Sequence, residues 1–282
     1  MKGRSWFRNG MLGLGLAFLY IPILSMMVFS FNNSRLVTVW DAANSPTLRW
    51  YVRLFENQQL LGAAWISLKV AAMTATGAVI LGTLAGLVLA RFGPFRGRAF
   101  LSAMTTAPLV MPEVITGIAM LLLFVSLEQL TGWPDGRGMM TITLAHITFA
   151  MAYVTVVVQS RLAGFDDALE EAALDLGAKP TTVFFRITLP LIVPALVSGW
   201  MLAFTLSWDD VVIAQFVSGP GSSTLPMEIF SRVRRGVSPD INALATIMVL
   251  IVATGVVLST LWMKRQERKR LLEEQMARSD AG

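Results

Sequence analysis

The sequence predicts an all-α membrane protein with six transmembrane helices. Of its 282 residues 55% are hydrophobic and only 15% are charged, and the mean hydropathy is +0.62, well above what the core of a soluble domain requires. The apolar residues also gather into six stretches, 11–31, 61–90, 100–127, 139–159, 189–217 and 241–263, each long enough to cross a hydrocarbon core of about 30 Å, which takes roughly 20 helical residues. The same composition excludes several kinds of chemistry. With no cysteine there is neither a disulfide framework nor a thiolate metal site, and the single histidine, His146, excludes zinc motifs built on several histidines. No cofactor is expected. The net charge of +5 comes from Lys and Arg beside the apolar stretches, a pattern of membrane topology and not of a nucleic-acid-binding face.

The elements follow in order. Lys2, Arg4 and Arg8 precede the first stretch, which runs to Phe31 without a convincing cleavage site and reads as an uncleaved first span. In the following loop, "SPTLRWYVRLFEN" puts Leu48, Tyr51 and Phe55 at helical spacing. Span two carries "GTLAG", in which Gly82 and Gly86 suit close helix packing. Its Lys69 lies near the outer end and can reach the interface along its own alkyl stem. Span three contains "APLVMPEVITG". Pro108 and Pro112 each remove a backbone donor and disfavour helix in the residue before, so a kink or break is expected there. Glu113, 13 residues into the stretch, falls roughly 20 Å along it at about 1.5 Å per residue, near mid-depth. His146 in span four is expected to bond to a neighbouring helix more readily than to relay protons. Span five contains "SWDDVV", with Asp209 about 30 Å beyond Leu189 and so in the outer part of the bilayer. Helical neighbours diverge by about 100°, so one aspartate can line a path while the other caps a helix or bonds a neighbour. After span five, "LPMEIFSRVRRG" reads as a short helix ending in Arg232, Arg234 and Arg235.

Lys and Arg set the orientation. The N-terminus, the loops after spans two and four and the C-terminal tail carry 15, against 7 in the other three loops, so both termini are expected in the cytoplasm. The expected organisation is a first span with its outer loop (1–60), a transmembrane core (61–263) and a basic cytoplasmic tail (264–282).

The loop between spans four and five, about 161–190, is the most specific text. Asp166, Asp167, Glu170 and Glu171 crowd the first turns of a helix whose Leu169, Ala172, Ala173 and Leu176 share one side. Gly177 supplies the helix stop, and Pro180 is suited to open the next helix. Glu171 and Asp175 are like charges at i,i+4, which a partner bearing cations would relieve. The run Glu171, Ala172, Ala173, three residues, Gly177, nine residues, Ile187, one residue, Leu189, Pro190 resembles, without a gap, the EAA loop of permease subunits of bacterial ABC importers. The resemblance implies the type I importer permease fold, with this loop as a coupling helix docked in a groove of a separate cytoplasmic ATPase dimer. The absence of a GxxxxGK[ST] phosphate loop agrees with a separate ATPase.

An acid at mid-membrane costs about 2.5–3.5 kcal/mol on insertion scales and is by default a functional-site hypothesis. Asp209, Asp210 and Glu113, balanced within the spans only by Lys69, would repel an anion and favour a cation. The bland alternative is that they satisfy broken helix backbone or pair with Lys69 or a partner subunit. "FNNSRLVTVW", "TAPLVMPEVITGIAMLLLF", "SWDDVVIAQFVSGPGSSTLPM" and "INALAT" are similar to the spermidine/putrescine branch of these permeases, specifically the second of its two unlike subunits. The chain departs from that branch at Glu113, where the branch has Asp, and at Trp208, where it has Leu. The resemblance implies an inner-membrane assembly with a second, different permease subunit, the ATPase dimer and a periplasmic polyamine-binding protein. Nucleic acid is not an expected partner. Three rivals stand beside this one: the same machine for another solute, a proton-coupled secondary transporter, and an intramembrane hydrolase. The first is opposed by too few donors for a selective metal site, the second by the lack of a convincing inverted repeat. The third is opposed by splayed acids with no nucleophile.

Overall fold

The structure, a computed structural model, describes residues 2–34, 36, 39–164, 168–236, 239–254, 257 and 261. The basic tail, Asp166 and Asp167 and the far end of the sixth expected span lie outside the described residues. Among those described there is no strand. The helices are α1 (Lys2–Phe29), α2 (Arg49–Glu56), α3 (Gln58–Arg91), α4 (Arg98–Val110), α5 (Glu113–Thr131), α6 (Met139–Ala163), α7 (Ala168–Asp175) and α8 (Pro180–Val183); a π-helical turn (Phe184–Thr188) follows, then α9 (Leu189–Trp208), α10 (Val212–Val217) and α11 (Leu225–Arg235). A shorter apolar helix, α12, is described over Pro239–Thr254, where the sixth span was expected. Among the described residues, five helical segments are long and apolar enough to cross a membrane: Trp6–Phe29, Gln58–Arg91, Glu113–Thr131, Met139–Ala163 and Pro180–Trp208.

Two expected spans are broken. The break in span three falls where the prolines predicted it: α4 ends at Val110, Met111 is extended (φ −77°, ψ 137°), and Pro112 is the N-cap of α5. A proline pushes the residue before it out of the helical region, which is why Met111 is the extended residue. Pro108 sits inside α4 without ending it. The stretch expected as span five, 189–217, stops at Trp208 and resumes at Val212.

The chain forms two compact units: Met1–Gln58 with the segment from Arg232 onward, and Gln59–Ser231. In the second, α6 is the central post, with 61% of its most apolar window buried against 39% for α3 and 28% for the Pro180–Trp208 segment. Its Ala150, Val154, Val158 and Leu162 pack with Ala75 and Ala78 of α3 and Ile192 and Ala203 of α9. Its Ile142, Ala145 and Phe149 share a second cluster with Val70, Phe124 and the α10 residues Ile213, Ala214 and Val217. The small residues of α3 make this possible. A Cβ on Gly82 would lie 2.8 Å from Val154 Cβ and 2.9 Å from the Met151 carbonyl oxygen, and one on Gly86 would lie 2.9 Å from Val158 Cγ1. Both glycines of "GTLAG" therefore set the α3–α6 approach, as expected of a small-xxx-small pair.

In the first unit, the loop after α1 is knitted by buried Asn32. Its Oδ1 accepts from Asp41 N (2.9 Å) and Ser45 Oγ (3.2 Å), its Nδ2 donates to Val39 O (2.7 Å), and its own carbonyl accepts from Trp50 Nε1 (2.6 Å). The helix read at "RWYVRLFE" is α2, but it turns Trp50 and Leu54 inward while Leu48 and Phe55 stay exposed.

Candidate functional site

The side chains expected to be functional fall in two places, both in the Gln59–Ser231 unit. The first is the loop of the EAA spacing. Here α7 ends in a Schellman motif: Ala178 N donates to Ala173 O (3.0 Å) and Gly177 N to Leu174 O (2.9 Å), with Gly177 at φ +84°. A left-handed residue after the last turn lets those two amides fold back on the orphan carbonyls, which is the geometry glycine tolerates without strain. Pro180 opens α8 at its first turn, and Leu189 donates to Phe184 O, five residues back, to close the π turn before Pro190 begins α9. No side chain of α7 is buried. Glu171 and Ala172 are exposed, Ala173 is half-buried, and Leu169, Leu174 and Leu176 are 54%, 44% and 89% exposed. An acidic, apolar-edged helix is thus presented outward. It is tied down at one point that the sequence did not single out: Thr188 Oγ1 donates to Glu170 Oε1 (2.6 Å), and Arg91 at the end of α3 approaches the same oxygen at 3.6 Å. Beside this contact lies a cleft of about 410 Å³ lined by Leu87, Phe92, Leu174, Phe184 and Phe185 among others.

The second place is the break in span five. Asp210, the residue before the N-cap Val211, caps α10 with its side chain, accepting from Ile213 N (3.3 Å, Oδ1) and Ala214 N (2.8 Å, Oδ2). Its Oδ2 also lies 3.1 Å from His146 Nε2, and His146 Nδ1 lies 2.7 Å from Ser207 Oγ. The donor and acceptor roles of the two ring nitrogens follow the tautomer; with Asp210 as a carboxylate, which only accepts, Nε2 is the donor of that pair. Side-chain exposure is 2% for His146 and 6% for Asp210. Asp209 is the C-cap of α9, its amide bonded to Thr205 O, and it is exposed. The structure therefore separates the acid pair as expected of helical neighbours: one has a buried side chain that caps a helix and bonds span four, the other stands free of that network. Glu113, also exposed, is the first residue of α5, where the helix dipole favours negative charge.

The expected difference in depth between Glu113 and the aspartates gives way to adjacency. A Cβ on Gly117, one turn into α5, would lie 3.4 Å from Ile213 Cα and 2.6 Å from the Phe216 ring, while Phe124 further along packs with Val217. The start of α5 therefore lies beside the start of α10, and the two breaks are neighbours. Residue counting along straight spans misses this, because a break resets where each half-helix sits. Trp200, Phe204 and Trp208 form a stacked ladder along α9, with centroids 5.3 and 5.9 Å apart, that ends next to Asp209. Lys69 is exposed, its ammonium 5.1 Å from the Trp65 ring centroid, and is not bonded to these acids. Glu228 of α11 is a further buried carboxylate, 6% exposed, which the sequence placed in an outer loop.

The Gln59–Ser231 unit thus carries an exposed acidic short helix and acids at two helix breaks. Residues 78–271 match the model of the binding-protein-dependent transport system inner membrane component family. The chain belongs to that family. Among curated members, it is 55% identical over 277 residues to the putrescine transport system permease protein PotI of Escherichia coli (strain K12), covering 98% of this chain and 97% of that one. It is 43% identical over 255 residues to the spermidine/putrescine transport system permease protein PotC of the same strain, covering 90% and 92%. Among solved structures, a chain of a bacterial ABC transporter involved in the import of the acidic polysaccharide alginate superposes with TM-score 0.70 at 14% identity, covering 93% of this chain and 96% of that one. A chain of an inward-facing methionine ABC transporter superposes with TM-score 0.58 at 16% identity, covering 71% and 92%. At these identities the superpositions speak for the fold, which is that of type I ABC importer permeases. This member of the family is a membrane-embedded transport permease and not an enzyme.

Proposed function

We propose that this permease conducts polyamines, putrescine foremost, across the bacterial inner membrane, with both termini cytoplasmic and with ATP hydrolysed by a separate pair of ATPase chains. The observation that carries the proposal is the 55% identity, sustained over 98% of the chain, to a permease named for putrescine transport. The site chemistry agrees. Asp209 and Glu113 are exposed carboxylates at neighbouring breaks, where the carbonyl ends of α4 and α9 meet the amide ends of α5 and α10, so the carboxylates set the sign of the lining. Half-helix C-termini of this kind suit cations. Such a lining lowers the barrier to a dication and raises it for sulfate or phosphate. Affinity along the path must stay modest so that cargo leaves.

The remaining parts of the assembly follow from the loop. Glu171, Ala172, Ala173 and Gly177, continued through Leu189 and Pro190 into α9, form the element on which the ATPase dimer acts, and closure of that dimer shifts α9 against α6. A second, different permease subunit completes the path, and a periplasmic polyamine-binding protein delivers cargo to the outer loops, where α2 and α11 lie. The experiment is uptake of labelled putrescine by vesicles holding the full complex. Accumulation that needs both ATP and the binding protein is the expected result. Accumulation driven by a proton gradient without ATP would return the secondary transporter, and ATP-driven uptake of an unrelated solute with none of putrescine would remove the polyamine.

A further inference from the structure

His146 bonds to both sides of the break in span five. Its Nδ1 meets Ser207 Oγ on the last turn of α9 at 2.7 Å, and its Nε2 meets Asp210 Oδ2 at the start of α10 at 3.1 Å. His146 itself is 2% exposed and sits on α6, the most buried post of its unit. Nothing local in "SWDDVV" forces a helix to stop, since the stretch holds neither proline nor glycine. Instead, Asp210 Oδ1 and Oδ2 take the Ile213 and Ala214 amides that would otherwise be orphaned at the start of α10. An aspartate used in this way needs to be held, because a carboxylate freed to rotate would leave those amides, on the fully buried residues Ile213 and Ala214, without a partner.

We propose that His146 is a positioning residue for transport: it pins Asp210 as the cap of α10, fixes the break after Trp208, and thereby leaves Asp209 as the one member of the acid pair that faces the cargo. The two aspartates then have different jobs. Asp210 acts through the backbone of α10, and Asp209 acts on the cation directly. The proposal rests on the polyamine reading only for the second of these statements; the first concerns the helix break whatever the cargo.

The test uses both facts. The chain has no cysteine, so Asp209→Cys in the assembled complex is a single thiol at the break, and its rate of modification by a cationic thiol reagent reports the geometry without reference to any solute. His146→Leu is expected to change that rate by about tenfold and His146→Gln, which keeps a donor, by less than about twofold. In the cysteine-free protein, His146→Leu and Asp210→Asn should each lower the maximal rate of putrescine uptake by about tenfold with little change in KM, and the double variant should be no worse than the poorer single one, since both remove one contact. Asp209→Asn should instead raise KM. Unchanged labelling in an assembled His146→Leu complex overturns the proposal, as do losses that multiply in the double variant. If wild type takes up no putrescine, the polyamine reading falls and the labelling rates alone decide the role of His146.

Discussion

A side chain at Gly177 would meet no atom within 4 Å, so the obstacle to substitution is its φ of +84°. Holding an ordinary L-residue in the left-handed region costs roughly 1–2 kcal/mol, and asparagine less than most. Gly177→Asn should therefore keep more than half of ATP-coupled uptake, whereas Gly177→Val should lose it through geometry. Gly177→Asp should lose it through charge placed beside Glu171 and Asp175 on the surface proposed to dock the ATPase. Uptake measured together with ATP hydrolysis checks this, and full uptake by Gly177→Asp would remove the loop from the coupling path. Much of this residue-level chemistry was legible, because Gly177 and Pro180 act on their own backbone. That one aspartate of the pair caps a helix or bonds a neighbour was legible too, but not which one, since the partner of Asp210, His146, lies 64 residues earlier in the chain and no local pattern announces such a pair.

At the scale of elements, the approach of α3 to α6 depends on Gly82 having no side chain. Gly82→Ala forces a Cβ to 2.8 Å from Val154 Cβ and 2.9 Å from a backbone oxygen, so one partner must move, at a cost of about 1–3 kcal/mol for overpacking. Gly62 lies on the same helix with nothing within 4 Å, and alanine there should be neutral or stabilising by up to about 1 kcal/mol through helix propensity. Thermal unfolding of the two variants in detergent should move in different directions; equal shifts would mean that the α3–α6 contact is not close-packed. The break in span three could be read in advance because Pro112 acts on Met111 through local sterics. The break in span five could not be placed, because no proline or glycine marks it and the Asp210 side chain that caps α10 is itself bonded from another span. For α2 the spacing revealed the helix but not its inner face, which Trp50 acquires by bonding the backbone of Asn32, 18 residues away.

Across the whole molecule, the apolar spans, the basic loops and the outward-facing α7 make one prediction about sidedness. Arg96, in the turn between α3 and α4, and Phe55, on α2, are both exposed and belong to loops of opposite expected side. In this cysteine-free chain, Arg96→Cys should react with a membrane-impermeant thiol reagent only in inside-out vesicles and Phe55→Cys only in right-side-out ones. The reverse pattern would invert the topology and place α7 out of reach of any cytoplasmic ATPase. The class of fold was open to reading because lipid demands long apolar helices. The side-by-side placement of the two breaks was not, because it depends on Gly117 admitting Phe216 from a span about a hundred residues further along the chain.

The central claim is that a carboxylate at the span-five break draws a cation through this permease, and the most direct measurement is ATP-driven uptake of labelled putrescine by the full complex with Asp209→Asn and Asp209→Glu, at matched assembly and ATPase content. The account predicts that Asp209→Asn lowers uptake at low putrescine by about tenfold, equivalent to about 1.4 kcal/mol, while Asp209→Glu, which keeps the charge, retains most of it. Wild-type uptake by Asp209→Asn would contradict the claim.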